Sequence, residues 1–193
     1  MKTTKFYASA FLGLILLASC SSDDDSTPAP VEEEEAITSI VLTFTNQADA
    51  TDTVVLTWDD ANLDEVIDAG EKTVTGEFNT GEVYNASLDL FNIDRDFLEE
   101  DITSEQAGID AHFFVYGATS VEFTMERADD DFTRSDNNKL GVNTVWAAGT
   151  TASTGDISIQ LFHESPSVSD ADGFGTAEGT DTDIDISFGV EIE

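Results

Sequence analysis

The 193-residue chain has one cysteine, Cys20, so no disulfide forms within it. Basic residues are almost as scarce. Seven Lys and Arg stand against 41 Asp and Glu, a formal charge of −34. A surface of that sign repels nucleic acid and anionic lipid head groups, and it suits cations or simple solubility. There are three prolines and two histidines, and no apolar run long enough to span a bilayer as a permanent helix. Glycine-rich phosphate loops, a Gly-x-Ser-x-Gly elbow and a free thiol nucleophile away from the N-terminus are all missing. Carboxylate pairs are abundant, but in so acidic a chain they signify nothing without a cleft. Catalysis therefore finds no support, and the chain reads as a binding or structural protein.

What is present begins with a leader. Lys2 and Lys5 precede a short apolar stretch over residues 6–17, which ends in Leu17-Ala18-Ser19-Cys20. These residues resemble the signal peptide and lipobox of bacterial lipoproteins. The resemblance implies removal of residues 1–19 and lipidation of Cys20, and two or more acyl chains there would give stable anchoring. The remaining chain would carry five basic residues and a formal charge of −36. Ser21-Ser22-Asp23-Asp24-Asp25 resembles the acidic export signal of Bacteroidota surface lipoproteins, which implies the outer face of the outer membrane. Residues 20–35, with Glu32-Glu33-Glu34-Glu35 at their end, lack apolar periodicity and read as a solvated tether.

Residues 36–193 have the size of one domain. Their pattern has a period of two. Ile40, Leu42 and Phe44 fall on one face of a run over residues 40–45, and similar runs lie at residues 53–58, 72–78, 83–93, 112–116, 121–126, 144–147, 157–161 and 184–192. The spacing predicts an all-β, antiparallel sandwich, Ig-like or jelly-roll-like, of about eight or nine strands. Residues 101–107 read as one short crossover helix before the strand that opens at His112. Phe113, Phe114, Tyr116, Trp58 and Trp146 read as core, and Asp129-Asp130-Asp131 as a solvated turn.

Several stretches together resemble a family of small uncharacterised lipoproteins of Flavobacteria and their relatives. They include Ile37-Thr38-Ser39-Ile40-Val41-Leu42-Thr43, Tyr84-Asn85-Ala86-Ser87-Leu88 and Glu99-Glu100-Asp101-Ile102-Thr103. His112-Phe113-Phe114, Leu161-Phe162-His163-Glu164 and Thr182-Asp183-Ile184-Asp185-Ile186-Ser187-Phe188 continue the likeness. It brings no activity and no functional residues with it.

Three constellations could bind metal. In residues 60–71, Asp60, Asn62, Asp64, Asp68 and Glu71 supply oxygens at positions 1, 3, 5, 9 and 12, with the Val66 carbonyl at 7. That spacing wraps hard oxygens around one calcium ion, although Glu65 stands where the sharp turn wants glycine. A second acidic loop carries Asp170, Asp172, Glu178 and Asp181, again as calcium ligands. Third, His112 opens one strand and His163 ends another, followed by Glu164. Two imidazoles and a carboxylate suit zinc or copper better than calcium. The sequence thus supports two functional readings. One is a ligand- or metal-binding accessory module at the cell surface, serving a TonB-dependent outer-membrane transporter. The other is a structural or adhesion protein of the envelope whose loops calcium stiffens, without a selective ligand.

Overall fold

A computed structural model of the chain describes residues 37–193, except Glu65, Asp94, Pro166, Thr180 and Asp181. Cys20, its leader and the tether lie outside the described residues. The period-two runs become strands: β1 (Ser39–Asn46), β2 (Thr53–Asp59), β3 (Lys72–Thr75), β4 (Val83–Asn92), β5 (Arg95–Asp96), β6 (His112–Thr119), β7 (Phe123–Arg127), β8 (Asn143–Ala148), β9 (Ser153–His163), β10 (Ser167–Ser169), β11 (Thr176–Glu178) and β12 (Thr182–Ile192). Nine of these match the expected runs. β5, β10 and β11, with two or three residues each, are too short to show a period.

The protein is all-β and its paired strands are antiparallel. One sheet has the order β3-β2-β1-β4-β8-β7, with β5 against β4, a second is β12-β9-β6, and β10 and β11 pair as a small two-stranded sheet. The facing sides of the first two make one core. Ile40, Leu42 and Phe44 of β1, Leu88 and Leu90 of β4 and Trp146 of β8 meet Phe114 and Tyr116 of β6, Ile159 of β9 and Phe188 of β12. Trp146 and Tyr116 touch edge-on across the two layers, with ring centroids 5.8 Å apart. The seam closes where Phe78 pairs in parallel with Ile192. Phe78 N–H donates to the Glu191 carbonyl (3.0 Å), and Glu193 N–H returns to Phe78 (2.8 Å). This is why the 72–78 run ends as a ladder at Thr75: the chain turns at Gly76 in the left-handed region (φ 88°) and changes sheets.

The single helix expected over residues 101–107 is two elements instead. A π-helical segment (Leu98–Thr103) is followed by α1 (Gln106–Ala111), with the break at Ser104 and Glu105. The break lets both pieces bury an apolar side chain, Ile102 from the first and Ile109 from the second. Gly108 allows the close approach. A Cβ there would collide with the Asp101 and Ile102 carbonyl oxygens.

Register fixes which loops share an end. Ser39 at the start of β1 faces Asp59 and Phe91, the ends of β2 and β4. β6 runs back from His112 to the turn that begins β7, whose first residue faces Ala148. The loops that follow β2 and β7, the two helices and both histidines therefore crowd one rim, while Phe174 lies farther along β6, its carbonyl accepting the Tyr116 N–H (2.9 Å). The chain also enters the described domain there, at Ile37.

At this rim the few cations are drawn inward. Arg127, at the end of β7, donates to four carbonyls: Phe114 (2.7 Å), Lys139 (2.8 Å), Gly173 (3.1 Å) and Phe174 (3.3 Å). Its guanidinium also lies 4.3 Å from the centroid of the Phe113 ring. Asp131 is buried, contrary to a solvated turn, and accepts the backbone N–H groups of Gly141 (2.6 Å), Val142 (2.9 Å) and Asn143 (3.1 Å). Burial pulls the Arg127 pKa down, against the pull of the Tyr116 hydroxyl and the carboxylates of Asp131, Asp170 and Asp172. Burial likewise pushes Asp131 up, against those backbone bonds and Arg127. Arg134 and Lys139 also donate to main-chain carbonyls, Arg134 to Ile109 and His112 and Lys139 to Arg127 and Ala128. On β3, at the other edge of the larger sheet from β7, Lys72 donates to the Ser187 carbonyl (2.9 Å).

Candidate metal centre

His112 and His163 are directly opposed in the β6–β9 ladder. The parity that turns Phe114, Tyr116, Ile159 and Leu161 into the core turns both imidazoles to the same side, at the mouth of the sandwich. Their rings stack in parallel, with centroids 4.7 Å apart and planes 3° from each other. His112 is buried (3 % exposed) and His163 is half-buried.

A carboxylate joins them, but it is Asp183 rather than Glu164. Ligand atoms of His112, His163 and Asp183 all lie within 4.8 Å of one another. The pairing of β12 with β9 slips by one residue between Thr182 and Ile184. The extra residue in that bulge is Asp183, and the slip delivers it to the histidines. Strict alternation would have left it beside Asp185 on the outer face. Glu164 follows His163 in the left-handed region (φ 49°), with its N–H bonded to the Ala111 carbonyl (2.7 Å) and its side chain exposed. It takes no part in the cluster.

His112 is aimed from behind. Its Nδ1 lies 2.8 Å from the Gly108 carbonyl oxygen, which also accepts the His112 backbone N–H. A carbonyl oxygen only accepts, so Nδ1 is the donor here, and Nε2 is the nitrogen that would meet a metal. Metal-binding histidines are commonly oriented by such a bond on their other nitrogen. Gly108→Ala pushes this carbonyl off its neighbours. It is expected to cost about 1–3 kcal/mol in denaturant titrations and, if the cluster takes up zinc, to weaken that binding roughly 10- to 100-fold. Unchanged zinc affinity in a folded variant would remove the orienting role.

The other candidate residues are placed differently. In the loop at residues 60–71, Asp60 is buried and accepts the Asp64 N–H (3.2 Å), Asn62 accepts the same N–H (2.9 Å), and Asp64 accepts that of Val66 (3.0 Å). Asp68 caps a 3-10 turn (Ala69–Glu71) that Glu71 ends, and Asp68 N–H donates to Glu71 Oε2 (3.3 Å). Among the described residues, groups of three or more His, Cys, Asp or Glu gather at two places only, and this loop is neither.

The second acidic loop is also engaged elsewhere. Asp170 accepts the Lys139 N–H (2.9 Å), Asp172 accepts that of Gly175 (2.7 Å), and Glu178 lies exposed in β11. Asp181 lies outside the described residues. The second gathering is Glu77, Glu191 and Glu193, all exposed at the opposite rim. The hydrogen bond and charge of Glu77 raise the Glu193 pKa, so acidification relieves repulsion there.

Among the described residues no helix is long and apolar enough to cross a membrane. Comparison with protein-family models, with curated proteins and with solved structures gives no match.

Proposed function

We propose that the protein is an exported, lipid-anchored module that captures a divalent transition metal ion, zinc or copper, at the outer membrane. It would act as a binding protein, not an enzyme, and serve as an accessory to a TonB-dependent transporter. The observation that carries the metal reading is the convergence of His112, His163 and Asp183 within 4.8 Å, with His112 held through Nδ1. Two imidazoles and one carboxylate are a common zinc donor set. The address rests on Lys2, Lys5, the apolar stretch, Cys20 and the acidic residues after it. The likeness to Flavobacterial lipoproteins points the same way.

The rings are parallel and their lone pairs do not yet converge on one point. Tetrahedral zinc wants donors about 3.3 Å apart, so binding turns the imidazoles out of the stack and draws Asp183 inward.

Thermal unfolding tests the reading. Zinc or copper at a hundredfold excess over Kd is expected to add about 2.7 kcal/mol. His163→Ala should abolish that shift and Glu164→Ala should leave it. An equal shift in His163→Ala would end the proposal. The envelope reading, with calcium stiffening the loop at residues 60–71, is favoured by the turns that Asp60, Asn62 and Asp64 already cap. It would be supported instead by a calcium-specific shift lost in Asp64→Ala.

A further inference from the structure

We infer that the ion held by His112, His163 and Asp183 keeps one coordination position for a donor from outside the protein. The module would then bind a metal together with a ligand bearing an imidazole or a carboxylate. This rests on the metal reading above and deepens it.

The donor count is the first support. Zinc and cupric ions take four donors or more, and among the described residues three His, Cys, Asp or Glu side chains converge here. The nearest further carboxylate in sequence, Glu164, is exposed in a left-handed turn and held by its backbone to Ala111. Three protein donors with an open fourth position are the pattern of zinc sites that exchange a ligand, whereas sites that only brace a fold are closed by four.

The direction of opening is the second support. His112 is sealed on the inner side, at 3 % exposure, beneath α1. His163 and Asp183 are half-buried and form the outer side. Solvent, or a molecule replacing it, therefore reaches the ion past these two residues.

Charge is the third support. The chain carries 41 Asp and Glu against seven Lys and Arg, which favours an ion–ligand pair that keeps net positive charge.

Cobalt(II) loading of the purified protein gives a visible spectrum that reports donor number and exchange. Titration with imidazole, and separately with acetate, is expected to shift the bands saturably while the cobalt stays bound. Glu164→Ala should leave the bands and the titration unchanged. A four-coordinate spectrum that responds to neither probe would mean that a protein donor closes the site. That overturns the open position and leaves metal binding intact. A spectrum altered by Glu164→Ala would do the same and name the donor. No cobalt or zinc uptake at all would sink the metal reading itself, a result distinct from either of these. The readout is spectroscopic, so it needs only enough stability for the variant to fold.

Discussion

Arg127→Met is expected to remove about 3–5 kcal/mol of stability, because it strips the donor from several carbonyls and the cation from beside a buried carboxylate. Four carbonyls lose their donor at once, from Phe114 on β6, Lys139 before β8, and Gly173 and Phe174 in the loop after β10. Asp131 also loses the nearby cation that offsets its burial. Marginal stability makes this a large fraction of the whole, and for a domain of this size the melting point should fall by roughly 10 °C. Arg127→Lys should recover only part of the loss. An ammonium keeps the charge but lacks the planar fork that reaches four acceptors. Asp131→Asn is expected to be non-additive with Arg127→Met, since each variant already disrupts what the other does. A loss below about 1 kcal/mol for Arg127→Met in urea titrations would show that water takes over the carbonyls without penalty.

Trp146→Ala should cost a similar amount, about 3–5 kcal/mol, for a different reason. Trp146 is fully buried and meets Phe44, Tyr116, Phe123 and Phe174 edge-on, at 5.5, 5.8, 5.6 and 5.5 Å. Its neighbours come from both sheets and from the loop after β10, so no single element can close the cavity. Its indole N–H donates to Thr144 Oγ1 (2.8 Å), and that bond disappears with the ring. Trp146→Phe should fall between the two, because it keeps part of the stacking and loses the donor. The check is a denaturant midpoint together with near-UV circular dichroism. A loss of less than about 1.5 kcal/mol for the alanine variant would mean that the rings collapse into the space.

The main strands were legible because one face is buried and the other is wet. That contrast writes itself as a period of two at Ile40, Leu42 and Phe44, and again at Ile184, Ile186 and Phe188. The three short strands lack the length to show a period. The split between the π-helical segment and α1 depends on how Gly108 packs against Asp101 and Ile102, a tertiary contact with no local signature. The histidine pair was half legible. His112 and His163 share the parity of their buried neighbours, and the ends of antiparallel strands can meet. Asp183 was not legible, because a register slip against another strand turns it. Asp131 misled for a related reason. Three acids in a row read as solvated, yet the last one ties down three backbone N–H groups of a loop ten residues on.

Lys72, Arg127, Arg134 and Lys139 all spend hydrogen bonds on main-chain carbonyls, and Arg95 pairs with Glu100 and Asp101. Few positive charges are left to answer the carboxylates at the solvent boundary. The folded domain thus behaves as a macro-ion wearing one sign of charge, with its opposite sign stitched into the scaffold. Brine has little to dissolve in such a molecule, because four of its cations are held by main-chain dipoles and the exposed ion pairs are few, while the repulsion that ions screen is spread over the outside. Concentrated electrolyte should then act on it as a girdle, and dilution as a loosening.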